Sequence, residues 1–225
     1  MINLLQNNPT TFQTSDMKTI IQPQGTFKIN NYSMSVTTND NYLYVNNNKY
    51  YIPVNISQIG GSFWLSSIAM IIYADKNKNL FKDKRILELG CGIGLPGMYI
   101  AANFSPKIVV LSDREIDTIN LDNMKELHNI KIKQIEWDVP QEQNFEEFDI
   151  VIASDCIYRY TQDSFLKALK TFTSESFIII NPYRECFDEF IYKLQEIYDI
   201  SIDEVELCFN DTYVTRLTII RGFVH

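Results

Sequence analysis

Three glycines and several acidic residues have the types and spacing that could perform chemistry. Gly90, Gly92 and Gly94 follow a short apolar run, ILEL, which contains Glu88. A glycine loop between a strand and a helix lets the backbone approach a ligand closely, and the helix start offers unpaired N–H groups. Further carboxylates stand where later apolar runs end, and these are Asp113, Asp138 and Asp155. We therefore predict one ligand site where the loop and the carboxylates meet.

The charge of this site predicts the class of ligand. Strand ends in an open parallel sheet converge on one crevice, so the carboxylates should line it, with Arg114 as the only obvious cation. Such a pocket repels a pyrophosphate and suits a ligand that carries positive charge. S-adenosylmethionine, with its sulfonium and ammonium groups, is a ligand of this kind, and a second cation fits beside it as substrate. The pattern favours methyl transfer.

A dinucleotide site is the alternative interpretation. The run from Gly92 to Gly97, GIGLPG, satisfies the pattern GxGxxG, and Asp113 lies about as far downstream as the acid that binds a ribose. Glu88 before the loop, Trp137 and Asp155 do not belong to that pattern, and together they favour the methyl donor. The glycine loop alone is compatible with both ligands.

Composition excludes several classes of function. The chain has 225 residues, 45% of them hydrophobic, and a formal net charge of −8, which is unfavourable for binding a nucleic-acid backbone. Four cysteines stand far apart without a CxxC pair, and only two histidines are present, so we predict neither a metal site nor a histidine-based triad. No secretory signal or membrane span is recognisable. We expect a cytoplasmic monomer without a nucleic-acid or membrane partner.

The pattern of apolar residues predicts the elements that position the site. Trp64, Ile68 and Ile71 have helical spacing. Beyond them, short apolar strands alternate with amphipathic helices, which is typical of a parallel sheet with helices on both faces. The predicted strands are Lys84 to Leu89, Ile108 to Ser112, Ile130 to Glu136, Phe148 to Ala153 and Phe177 to Asn181, followed by a hairpin of Ile202 to Phe209 and Tyr213 to Ile220. The predicted helices after the glycine-loop helix are Glu115 to Leu127, Gln162 to Phe172 and Glu185 to Tyr198.

The N-terminal part differs in composition. Residues 1 to about 25 are rich in asparagine, glutamine and threonine without periodicity, which predicts a flexible segment. Between Thr26 and Pro53, aromatic and branched residues alternate with polar ones, as in short antiparallel strands. We predict a flexible N-terminus and small β cap over residues 1–58 and a catalytic domain over residues 59–225.

Read together, the motifs resemble the seven-β-strand (non-SET) methyltransferase-like protein lysine methyltransferase family. The matching pieces run from about residue 60 to 160, and they are GSFW ending at Trp64, ELGCGIGLPG, LSDRE, IEWD and ASDCIY. The resemblance implies a Rossmann-like class I methyltransferase fold, with a mostly parallel seven-stranded sheet whose last strand is antiparallel.

The resemblance also implies roles for individual residues. Gly90, Cys91, Gly92 and Gly94 would pass beneath the methionine part of S-adenosylmethionine, with Glu88 binding its ammonium group or the loop. Asp113 would bind the ribose, beside Arg114 along the adenine. Trp137 would flank the adenine, Trp64 would close the pocket, and Ser154 would expose its backbone to the cofactor. Asp155 and Tyr158, the acidic-x-x-aromatic signature, would hold the target nitrogen. Arg184, after the fifth predicted strand, has two alternative placements, the mouth of the substrate site and the surface, and we expect it at the surface.

The resemblance finally implies a function. The chain would transfer a methyl group from S-adenosylmethionine to a lysine of a non-histone protein and release S-adenosylhomocysteine, without a metal. An arginine, a histidine or a small amine remains possible as the acceptor. A catalytically silent S-adenosylmethionine-binding interaction module is the alternative from another class of function.

Overall fold

The protein is described by a computed structural model over residues 24–39, 42–46, 48–51, 64–138 and 146–224. Residues 1–23, which make up most of the predicted flexible segment, lie outside this description. Strands are Gln24–Ile29 (β1), Tyr32–Asn39 (β2), Tyr42–Val45 (β3), Asn48–Tyr51 (β4), Arg85–Leu89 (β5), Ile108–Asp113 (β6), Ile130–Gln134 (β7), Phe148–Ser154 (β8), Thr173–Pro182 (β9), Asp199–Phe209 (β10) and Thr212–Phe223 (β11). The α-helices in the described residues are Leu65–Lys76 (α1), Leu95–Asn103 (α2), Gln162–Phe172 (α3) and Phe187–Gln195 (α4).

All of these strands belong to one sheet, in the order β4-β3-β2-β1-β10-β11-β9-β8-β5-β6-β7. Strands β5 to β9 pair with one another in parallel, whereas β11 runs antiparallel to β9. The predicted parallel sheet with a reversed last strand is confirmed. The N-terminal strands continue this sheet, because β1 pairs with β10 and places Phe27 opposite Phe209.

Helices cover the central strands on both sides, as predicted. Neighbouring residues of a strand point to opposite faces. Ile86 of β5 therefore packs with the residues of α1 and α2, while Leu87 packs with those of α3 and α4. Because both faces are covered, the central strands are rich in apolar residues. Ile68 and Ile71 of α1 are fully buried, which confirms the predicted apolar stripe.

The predicted helix from Glu115 to Leu127 is wrong. This segment contains only a short 3-10 helix, Leu121–Met124. The side chain of Asn120 accepts a hydrogen bond from the N–H of Asp122 at 2.8 Å, and the Thr118 hydroxyl donates to the Gly92 carbonyl at 2.9 Å. The local bond of Asn120 stabilises a turn in competition with an α-helix, and the bond of Thr118 ties the segment to the glycine loop. The segment is therefore bonded to the glycine loop and does not form a regular α-helix.

Glu88 links β5 to α2 inside the protein. Its side chain is 1% exposed and accepts a hydrogen bond from the N–H of Gly97 at 2.9 Å. A Cβ atom at residue 97 would lie 2.3 Å from Leu111 Cδ2 and 2.6 Å from Glu88 Oε2, so this approach requires glycine. Burial raises the pKa of Glu88 to about 8, although the Gly97 N–H opposes the shift. The carboxyl is therefore protonated in the folded state over a range in which the unfolded chain is ionised.

This titration predicts a pH dependence of stability. The unfolded chain loses the Glu88 proton near pH 4.5 and the folded chain near pH 8, so the free energy of unfolding falls as the pH rises between these values. Glu88→Gln removes the titration and keeps an acceptor for Gly97. Relative to the wild type, this variant should gain more than about 1.4 kcal/mol between roughly pH 5 and pH 8, which corresponds to one pKa unit.

Urea unfolding at several pH values measures this difference. Glu126→Gln, at an exposed position, is the matched control and should show a difference from the wild type that does not change with pH. The same behaviour in Glu88→Gln would contradict the buried, protonated carboxyl.

Candidate active site

A cavity of about 660 Å³ opens at the carboxyl ends of β5, β6 and β8. Most of the predicted site residues line it, and these are Trp64, Gly90, Cys91, Gly92, Asp113, Arg114, Trp137, Ser154, Asp155 and Tyr158. Two do not, because Glu88 lies buried beneath the loop and Gly94 forms the N-cap of α2. The fold thus brings together residues from five separate segments of the sequence.

The glycine loop lies close to the end of β8. Gly90, Gly92 and Gly94 have φ angles of 64°, 54° and 77°, in the left-handed region that favours glycine. A Cβ atom at residue 90 would lie 2.7 Å from the sulfur of Cys156, so a side chain would clash there. Cys91 donates its backbone N–H to the Ser112 carbonyl at 2.9 Å. The loop thus presents its backbone to the cavity and is tied to β6.

Asp113, at the end of β6, holds the loop from the other side. Its Oδ2 accepts the N–H of Gly92 at 2.8 Å, and its Oδ1 accepts the N–H of Glu115 at 3.3 Å. A carboxylate oxygen has two lone pairs, so each oxygen can accept one more hydrogen bond from a ligand. Unlike Asp113, which binds the glycine loop, Arg114 has a side chain that is 73% exposed and pairs with Glu115 at 3.5 Å.

Two tryptophans contribute aromatic surface to the cavity. Trp64 immediately precedes α1, and its carbonyl accepts the N–H of Ser67 at 3.0 Å. Trp137 follows β7 and packs edge-on against Phe165 of α3, with ring centroids 5.1 Å apart. Both indoles are half-buried, so each combines packing in the protein with a surface that faces the cavity.

Asp155 and Tyr158 lie in the loop after β8, together with an arginine that comes from elsewhere. Asp155 has a φ of 59°, which is unusual for a residue other than glycine, and its N–H donates to the Ile180 carbonyl at 2.9 Å. Arg184 donates from Nη2 to Asp155 Oδ1, and its guanidinium carbon lies 4.4 Å from the centre of the Tyr158 ring. The expectation that Arg184 is a surface residue is wrong, since its side chain is only 16% exposed.

Burial controls the protonation of several groups in the cavity. It raises the pKa of the Asp155 carboxyl, and the charge of Arg184 opposes this shift. It also raises the pKa of the Tyr158 phenol, which is therefore neutral at pH 7. The pKa values of the Cys91 and Cys156 thiols are raised by burial as well. Because a thiolate is the nucleophilic form of cysteine, these residues are not candidates for nucleophilic catalysis.

Three hydroxyl side chains that the sequence did not indicate also line the cavity, and these are Ser67, Thr161 and Ser164. Thr161 accepts the N–H of Tyr158 at 3.1 Å and donates to the Cys156 carbonyl at 3.2 Å, so it fixes the loop that carries the acidic-aromatic pair. Its position three residues after Tyr158 is a weak signal for such a turn. Ser67 of α1 lies 3.4 Å from Ser154, between hydroxyl oxygens.

The cavity has an excess of negative charge. Of the described residues that line it, Arg114 is the single arginine or lysine, whereas the acidic ones are Asp113, Glu115, Glu136, Asp138 and Asp155. Such a lining disfavours the pyrophosphate of a dinucleotide. Within the described ranges, no group of three or more His, Cys, Asp or Glu side chains could hold a metal ion. The helices described here are also too short or too polar to cross a membrane.

A solved structure shares this architecture. Magnesium protoporphyrin IX methyltransferase from Synechocystis PCC 6803, crystallised with bound S-adenosylmethionine, is similar with a TM-score of 0.52. The two proteins are 13% identical, and the similarity covers 71% of this chain and 78% of that one. The fold is therefore the Rossmann-like class I methyltransferase fold.

Sequence comparison is more specific. The chain is 32% identical over 120 residues to "Protein N-terminal and lysine N-methyltransferase efm7" of Schizosaccharomyces pombe, and 35% identical over 107 residues to "Histidine protein methyltransferase 1 homolog" of Dictyostelium discoideum. These matches cover 45% and 44% of this chain, but only 45% and 34% of those relatives. A family model described as lysine methyltransferase matches residues 53–196, more than half of the chain and including the cavity-lining segments. The protein belongs to this lysine methyltransferase family.

Proposed function

We propose that the protein is a cytoplasmic, S-adenosylmethionine-dependent methyltransferase that modifies a lysine side chain of a non-histone protein. The observation that carries this proposal is the continuity of the cavity. It joins the glycine loop and Asp113, which suit the cofactor, to Asp155 and Tyr158, which suit a cationic side chain. Membership of the lysine methyltransferase family supports the acceptor, and relatives whose names describe protein methyltransferases support a protein substrate.

The cavity fits the proposed cofactor. Its volume of about 660 Å³ lies within the usual range for pockets that hold small ligands. Asp113 has acceptor capacity for two ribose hydroxyls, the backbone from Gly90 to Gly92 is open to the methionine part, and the indole of Trp137 offers a surface for the adenine. Bound S-adenosylmethionine supplies a methyl group on a positively charged sulfur, and the acidic lining stabilises such a charge.

The acceptor side of the cavity would prepare a nitrogen nucleophile. A free lysine has a pKa of about 10.4, so its neutral form costs about 4 to 5 kcal/mol at pH 7. Transfer into a partly buried cavity lowers that cost, because burial disfavours the ammonium form. The Asp155 carboxylate would accept an N–H bond from the amine and orient its lone pair, and Tyr158 offers an aromatic face or a hydroxyl. Correct orientation of the reactants supplies most of the rate in reactions of this kind.

One labelling experiment tests the acceptor directly. The purified protein is incubated with a cell lysate and S-adenosylmethionine carrying a labelled methyl group, and mass spectrometry locates the label. Label on lysine is the expected result. Label on histidine, as the name of the Dictyostelium relative suggests for that protein, or on arginine would overturn the lysine assignment. Binding of the cofactor without any transfer would indicate a silent binding module.

Asp113→Asn should weaken cofactor binding. The substitution keeps one carbonyl acceptor but removes the charge that strengthens the bonds to the ribose, so affinity should fall by about 2 to 3 kcal/mol, or roughly 30- to 160-fold. Calorimetric titration with S-adenosylhomocysteine measures the loss. Asp117→Asn, at an exposed position outside the cavity lining, is the control and should bind like the wild type. Tighter binding of NADH than of S-adenosylhomocysteine by the wild type would support the dinucleotide alternative.

Asp155→Asn should remove transfer and retain cofactor binding. Loss of the carboxylate deprives the amine of its charged acceptor, which should lower kcat by at least about a hundredfold. Asp163→Asn, in which the original carboxylate is 84% exposed on α3, is the matched control and should keep its activity. Unchanged turnover in Asp155→Asn would remove this residue from the mechanism.

A further inference from the structure

Arg184 has more partners than an ordinary surface arginine. It follows β9 by two residues and donates to Asp155 Oδ1 and, from Nη1 at 2.9 Å, to the Ile157 carbonyl. Its guanidinium also lies over the ring of Tyr158. All three partners belong to the loop after β8, and Arg184 itself does not line the cavity. One side chain therefore braces the acidic-aromatic pair from outside the cavity.

The ion pair with Arg184 compensates for the burial of the Asp155 carboxylate. A carboxylate that is 6% exposed is costly to keep ionised unless a cation or several donors compensate for its lost hydration. In the described structure, the hydrogen bond recorded for the carboxylate of Asp155 comes from Arg184. A guanidinium placed over an aromatic ring also restricts the ring. Charge and geometry at the acceptor side thus depend on the same side chain.

We propose that Arg184 is a positioning residue for methyl transfer, which holds Asp155 ionised and Tyr158 oriented where both face the acceptor nitrogen. This inference rests on the proposed function, because it assigns Asp155 and Tyr158 to the acceptor. Among the charged and titratable side chains near Asp155, Arg184 has the main influence on the ionisation of its carboxyl. Cys156 and Tyr158 of the same loop are neutral, and Glu185 next to Arg184 pairs with Arg159 at the surface.

A titration that does not depend on turnover tests whether Arg184 holds Asp155 ionised. The full-length protein is labelled with ¹³C at aspartate side-chain carboxyls, and Asp155→Asn identifies the resonance of Asp155. Arg184→Met should raise the titration midpoint of Asp155 by at least about one pKa unit, since a neighbouring cation typically lowers a carboxyl pKa by 1 to 3 units. Arg184→Lys keeps the charge without the forked guanidinium and should give a smaller shift.

Arg159→Met is the matched control, because it removes an exposed, ion-paired arginine from the same region and should leave the Asp155 midpoint unchanged. An equal midpoint in Arg184→Met and the wild type would overturn the proposal. The NMR spectra show whether each variant is folded. If Arg184→Met unfolds, Arg184→Gln, which removes the charge but keeps N–H donors, replaces it, and an unshifted midpoint in folded Arg184→Gln would be the contradicting result.

Kinetics test whether methyl transfer requires the ionised Asp155 that Arg184 maintains. The acid limb of the pH profile of kcat/KM should move to higher pH in Arg184→Met by the same amount as the Asp155 midpoint, while S-adenosylhomocysteine binds with wild-type affinity. A limb that stays in place while the midpoint moves would show that ionised Asp155 is not required, and would overturn the positioning role. A wild-type protein that transfers no methyl group would overturn the proposed function instead, and the carboxyl titration would still decide whether Arg184 holds Asp155 ionised.

Discussion

Acidic side chains at the carboxyl ends of three adjacent parallel strands impose the constraint on which this structure depends. Each carboxyl group in β5, β6 and after β8 needs a donor from the chain itself, because burial removes much of its hydration. The N–H groups of α2 and of the glycine loop bind Glu88 and Asp113, and the guanidinium of Arg184 binds Asp155. These bonds fix the loop, the first turn of α2 and the loop after β8 relative to one another. The cavity is the space that they leave open.

The same bonds give the two sides of the cavity different properties. Asp113 is held by backbone groups and keeps acceptor capacity toward the cavity, as a site for a neutral polyhydroxyl group requires. Asp155 is paired with Arg184, so the ion pair itself carries no net charge. In the proposed function, this pair stabilises an ammonium ion less than a lone carboxylate would, which suits a reaction that needs a neutral amine. Recognition of the methyl donor and preparation of the acceptor would thus, in the proposed function, be separated within one cavity.

Much of the fold and the site could be predicted from local patterns. The alternation of apolar strands and helices identified the parallel sheet, and Glu88, the glycines and Asp113 marked the loop that turns beneath the cavity. The prediction of a helix from Glu115 to Leu127 was wrong, because apolar spacing does not show that the side chains of Thr118 and Asn120 bond to backbone groups. The N-terminal strands were expected from their alternation, but not their pairing with β10, since pairing between segments so far apart leaves little trace in local sequence.

The sequence by itself determined which chemistry is available, because residue types and strand periodicity fix the order in which glycines, carboxylates and aromatic side chains reach one edge of the sheet. Tertiary structure decided which donors and cations offset the lost hydration of the buried carboxyl groups. Arg184 meets Asp155 only because β8 and β9 are neighbours in the sheet, which brings residues 29 positions apart into contact. Burial raises the pKa of Glu88 and of Asp155, and burial depends on packing from both faces rather than on any neighbour in the chain. Charge in a folded interior depends on three-dimensional surroundings that local sequence does not contain.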